Sequence, residues 1–194
     1  MATSREMKEV YDAMERICFE TGDLLKALDD LMQKQGFTFT KTELRWDMSK
    51  AVDKPDSWLP YFSQRIYRKM PNDEKVIGVN IMFKTFAPDN KLFFISCGRI
   101  DGRNAGSKSD QFYSAGWNEG DKPQQIPDTK IYHTIFKDCK IWNYFIPLHI
   151  VIDLETLEKY IVKPLIGLYN SGPNPEKEVS IDPFGLTFKD IKVD

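Results

Sequence analysis

The chain has 194 residues, a formal charge of −2, 41% hydrophobic and 29% charged residues, the composition of a globular domain that buries a core without disulfide or metal support. Its slight acidity argues against generic nucleic-acid binding, which rests on a basic balance, and no apolar run reaches the ~20 residues of a membrane span. Three cysteines, Cys18, Cys97 and Cys139, are too few and too odd in number for a disulfide framework, and the charged opening MATSREMKEV lacks the apolar centre of a signal peptide, so a reduced cytoplasmic setting is expected.

The first element in chain order is a helix. Met7, Val10, Tyr11, Met14, Ile17, Cys18, Thr21, Leu24, Leu25, Leu28, Leu31 and Met32 recur at heptad-like spacing, which places them on one face. Thr3 and Glu6 have the offset of a capping box, and Gly36 supplies a residue that accepts the left-handed stop. Residues 1–36 are thus expected to form an amphipathic rod about 45 Å long. Gly22 is its weak point, worth up to ~1 kcal/mol against alanine, and a place for a bend. Such a rod either packs on the sheet of its own chain or runs past it to a partner or a second copy.

Residues 37–194 read as a single α+β domain. GFTFTKTELRW alternates Phe37 and Phe39 with polar residues, the mark of a half-buried strand. SQRIYRKM reads as a further strand. EKVIGVNIMFKTF and LFFISCGRI, joined by APDNK, read as an antiparallel hairpin. From 102 to 128 the periodicity is lost among Gly102, Gly106, Gly116, Gly120, Pro123 and Pro127, and a long loop is expected. TKIYHTIF and CKIWNYFIPLHIVI resume as strands. In the second, Trp142 and Tyr144 fall on one side and Asn143 and Phe145 on the other, so both faces should be covered. Asp153 is placed as the N-cap of a helix through Leu154, Leu157, Ile161 and Leu165, which Pro164 should kink or split. Helix, hairpin-connected strands and helix in that order predict an antiparallel sheet braced by helices, not an alternating parallel one.

Signals for chemistry are sparse. GRNAGSKS, residues 102–109, superficially resembles a phosphate loop. Its first gap is one residue short, a serine separates Gly106 from Lys108, and no amphipathic helix follows. A looser reading keeps Arg99, Arg103 and Lys108 as contacts for a small anion. Asp101 would then be an acid or base, with His133 a more distant one. Cys97 shares the strand parity of Arg99, which would favour a thiolate, and His133 would serve as its base if their strands adjoin. The bland counterpart is a buried cysteine beside a solvated loop. His133 and His149 with Asp138 and Cys139 lack the spacing of a metal site, and no cofactor motif is present. Asp29 with Asp30 reads as a solvated face. Tyr61, Arg65, Tyr67 and Arg68 would suit single-stranded nucleic acid by stacking, but core aromatics beside edge arginines explain them better, given the acidic balance of the chain.

The expectation is a binding or regulatory module without catalysis, acting through protein–protein or small-ligand contacts. The first alternative is an enzyme for a phosphate-bearing small molecule or nucleotide, working through the basic loop at 99–109. The second is single-stranded nucleic-acid binding.

Overall fold

A computed structural model describes residues 3–44, 62–71, 73–83, 93–102, 105, 124–136, 138–175, 178–181 and 185–186. Helix α1 (Ser4–Lys34) has the expected ends. The Thr3 Oγ1 accepts from the Glu6 amide at 3.3 Å, and the Glu6 carboxylate accepts from the Thr3 amide at 2.6 Å, each satisfying a donor that the first turn leaves open. At the other end Gly36 takes φ +79°. Its amide donates to the Gln33 carbonyl and that of Phe37 donates to the Met32 carbonyl, a Schellman closure that buries Phe37 beside Met32. Gly22 lies within the unbroken helix.

Seven strands form one antiparallel sheet among the described residues: β1 (Thr38–Leu44), β2 (Phe62–Arg68), β3 (Lys75–Met82), β4 (Phe94–Asp101), β5 (Gln124–Gln125), β6 (Tyr132–Phe136) and β7 (Cys139–Pro147). Their order is β1-β2-β3-β4-β7-β6-β5. The first four make a meander. The chain then crosses to the far edge and returns, so that β7 closes on β4. The β3–β4 pairing runs from Lys75 opposite Asp101 to Met82 opposite Phe94, as the hairpin reading required. The APDNK turn lies outside the described residues. The expected loop at 102–128 is described only at 102, 105 and 124–128, and its end is modified by the short edge strand β5.

Helices cover one face. Leu25, Leu28 and Met32 from α1 pack with Tyr67, Ile77, Val79, Ile95, Trp142 and Tyr144 of the sheet and with the C-terminal helical segment. Burying such side chains supplies roughly 1.5–3 kcal/mol each, which is what anchors the C-terminal half of α1. That last segment runs as α2 (Leu154–Leu157), a π turn (Glu158–Val162) and α3 (Lys163–Asn170). Asp153 caps it, its carboxylate accepting from the Thr156 amide at 2.8 Å. Pro164 has no amide proton to offer and would crowd the carbonyl four residues back, and the widened turn just before it relieves both demands.

The second face is buried as well. Phe62, Met82, Phe94, Tyr132 and Phe145 form one apolar group there, with Leu186 against it, and Ile66, Val76, Ile100, Ala105, Cys139 and Ile141 form another. Strand β7 is therefore covered twice, as its bulk on both sides predicted. Two readings need correction. Phe39 is exposed, because β1 is an edge strand with an irregular register between Phe39 and Lys41, and the Arg65 guanidinium lies over the ring. Asp29 does not face solvent alone: it accepts a 2.7 Å hydrogen bond from the Tyr67 hydroxyl and pairs with Arg65 at 3.3 Å. No described helix is long and apolar enough to cross a membrane.

Candidate functional site

Strand pairing sets Arg99, Trp142 and His133 in one row across β4, β7 and β6. The Arg99 guanidinium stacks on one side of Trp142 at 4.9 Å, and the His133 ring lies 5.1 Å from the indole on the other. Arg99 is only 2% exposed. Its Nε donates to Asp101 Oδ1 at 2.6 Å, and its Nη2 donates to Asp101 Oδ2. Nη1 donates to the Leu168 carbonyl at 2.6 Å and, at 3.0 to 3.1 Å, to the Ser171 carbonyl, the Ser171 hydroxyl and the Gly172 carbonyl. A buried charge is tolerable only when paired and hydrogen-bonded, and here the partners are the carbonyls at the C-terminal end of α3, where the helix dipole favours a cation. Lys75 adds a second cation at that end, its Nζ donating to the Tyr169 carbonyl at 2.9 Å.

Cys97 lies two pairs further along β4, opposite Tyr144 on β7 and Val79 on β3. Burial pushes its thiol up to about 12, the reverse of what a nucleophilic thiolate needs. The strand of His133 does not adjoin that of Cys97. Strand β7 lies between them, a separation of two strand spacings, or roughly 10 Å. Arg103 and Lys108 lie outside the described residues, as do Tyr61 and most of GRNAGSKS. Gly102 is described, and its glycine answers to packing: a Cβ there would come within 2.7 Å of the Asp138 carbonyl and 2.9 Å of the Cys139 sulfur. Among the described residues no three His, Cys, Asp or Glu side chains gather as a metal site. Beside the Trp142 row lies a shallow cleft of about 180 Å3, lined by Ile126, His133, Lys140, Trp142, Pro173 and Asn174.

Of the residues read as nucleic-acid contacts, Tyr67 and Arg65 hold Asp29 of α1. Arg68 donates to the Pro71 carbonyl through Nη1.

The larger opening is elsewhere. A groove of about 750 Å3 runs between α1 and the segment that leads into α2. Ile17, Leu24 and Ala27 form one wall, and Phe93, Leu148, Val151 and Leu157 face them. Glu20, Asp23, His149 and Asp153 stand among its polar lining residues. The groove meets the place where α1 leaves the body. Downstream, the heptad stripe is buried at Leu25, Leu28 and Met32. Upstream, the same stripe is exposed: Met7 by 58%, Val10 by 60%, Tyr11 by 66%, Met14 by 37% and Ile17 by 41%. Ile152 and Leu154 add exposed apolar surface beside the groove. The heptad spacing announced the stripe, and Leu157 on the opposite wall lies on the helical face expected for it, whereas Leu148 and Val151, expected in a strand, lie in a 3-10 turn and the residue that caps it. No protein family model, curated protein or solved structure matches this chain.

Proposed function

We propose that the chain is a cytoplasmic binding module, without catalysis of its own, that docks a protein partner along the exposed run of α1 and the groove at its foot. One observation carries the reading: a single uninterrupted apolar stripe is covered by its own chain for half its length and by nothing described for the other half. Exposed apolar area of this extent on a helix is the usual mark of an interaction surface. The electrostatics point the same way. Between Ser4 and Glu20 the helix carries Arg5, Lys8 and Arg16 against Glu6, Glu9, Asp12, Glu15 and Glu20, so an anionic membrane or nucleic acid is disfavoured and a protein surface is not. Three unbridged cysteines, of which Cys18 is exposed, suit a reducing compartment. Arg99 and Asp101 support the same reading from the other side, because their polar atoms are engaged in holding α3.

Affinity capture with the full chain tests this, run beside Val10→Glu/Met14→Glu. Both positions are exposed, so the variant keeps its fold. Partners retained by the parent and lost by the variant are expected. The same partners on both would overturn the reading.

A further inference from the structure

We infer that the partner seated on α1 is a second copy of this chain, its α1 running antiparallel to the first about a two-fold axis at Met14; the inference rests on the docking role given to α1 above. Heptad-spaced apolar residues are complementary to another helix with the same spacing, and each copy presents one. A two-fold interface is self-complementary, so each copy supplies the surface that the other needs.

The axis follows from the charges. The outer part of the exposed stretch, Ser4 to Tyr11, holds Arg5 and Lys8 against Glu6 and Glu9 and is balanced. The inner part, Asp12 to Asp23, holds Arg16 against Asp12, Glu15, Glu20 and Asp23, an excess of three acids. A parallel pair sets the acidic stretch against itself. An antiparallel pair sets it against the balanced tip, which is the favourable arrangement. With the axis at Met14, Tyr11 meets Ile17 of the second copy and Val10 meets Cys18 of the second copy. Arg5 and Lys8 come level with Asp23 and Glu20 of the second copy, which are two of the acidic residues lining the groove. Asp12 comes level with Arg16 of the second copy, and no two like charges are brought level. The tip of each helix thereby reaches the mouth of the other copy's groove, where Ile17 and Leu24 are waiting to be covered.

Sedimentation equilibrium of the purified full chain should give twice the 22.6 kDa chain mass. Val10→Glu/Met14→Glu should weaken association by about 100-fold, because it sets like charges together at the seam, while circular dichroism shows the helix intact. Orientation is read from disulfides. Under mild oxidation Val10→Cys should link to Cys18 of the second copy, giving a covalent dimer on a non-reducing gel. The parent should not link, since its two Cys18 residues are then eight helical positions, or about 12 Å, apart along the seam. A parent that stays monomeric at high micromolar concentration overturns the inference, as does rapid Cys18-to-Cys18 linkage in the parent. If the parent is monomeric yet still captures partners that the double variant loses, the docking role stands and only the identity of the occupant falls. If neither association nor capture depends on Val10 and Met14, both fall.

Discussion

Asp101 grips Arg99 from two residues along the same strand, with Oδ1 accepting from Nε at 2.6 Å. That grip leaves Nη1 aimed at the end of α3, where the Leu168 carbonyl accepts at 2.6 Å. One side chain thus joins the middle of the sheet to the helix that covers it. The fork geometry matters, since a lysine in its place would meet one partner group and leave the others dry.

Removing Arg99 should therefore be among the most damaging single changes in the protein. Arg99→Ala strands buried carbonyls and the Asp101 carboxylate together, with an expected loss of about 3–5 kcal/mol. Arg99→Lys should recover only part of it. Urea unfolding of the three proteins checks this, and a loss below about 1 kcal/mol for Arg99→Ala would mean that the network is not holding α3.

Gly102→Ala should also destabilise, for a different reason. The residue sits at φ +145°, and a methyl group would approach the Asp138 carbonyl to 2.7 Å. Strain and overpacking together are expected to remove about 2–4 kcal/mol. Gly22→Ala is the internal control: nothing lies within 4 Å of its Cβ position, so it should gain up to ~1 kcal/mol of stability. Thermal unfolding of both variants should move the midpoint in opposite directions.

Stability should fall on the alkaline side. Burial pushes Cys97 up from 9.0 to about 12, and burial with the Asp73 carboxylate pushes Tyr169 up from 10.0 to about 12. A raised folded value means that the unfolded chain releases its proton first. The contribution is whole below pH 9 and is lost as pH climbs from 9 towards 12. Denaturant midpoints measured across that range should decline, and Cys97→Ala and Tyr169→Phe should each flatten the decline. Equal slopes in all three proteins would contradict the assignment.

The acid side has its own sensitivity. The Glu6 and Asp153 carboxylates are both held below their ordinary values, each chiefly by the backbone amide it accepts from, that of Thr3 for Glu6 and of Thr156 for Asp153. Lowered folded values give stability that is complete above the ordinary 4.5 and 3.8 and disappears as pH falls through the lowered ones. Helicity should fray below about pH 4 at the start of α1. In Glu6→Gln the loss should already be present at neutral pH, with a smaller further change on acidification.

What the sequence made legible was local. The Thr3–Glu6 box, the Gly36 stop, the β3–β4 hairpin and the Asp153 cap all depend on residues a few places apart, and their chemistry fixes the offset. The exposed tip of α1 was half legible: spacing defined its apolar face, but only tertiary packing decides where coverage stops. The Arg99 network and the Asp29–Tyr67 bond were invisible, since their partners are 69 and 38 residues apart in sequence. The exposure of Phe39 was likewise hidden, because alternation says which residues share a side and nothing about whether a strand is central or at an edge.

The return of β7 to β4 has a kinetic meaning. Strands β1 to β4 pair in sequence, each with its predecessor, whereas the β4–β7 ladder joins Asp101 to Lys140 and Phe94 to Pro147. A closure of that span forfeits roughly 3 kcal/mol of chain entropy before its first bond repays anything. Refolding should therefore wait on that encounter, with the meander and the rod already in place and the middle of the molecule completed last.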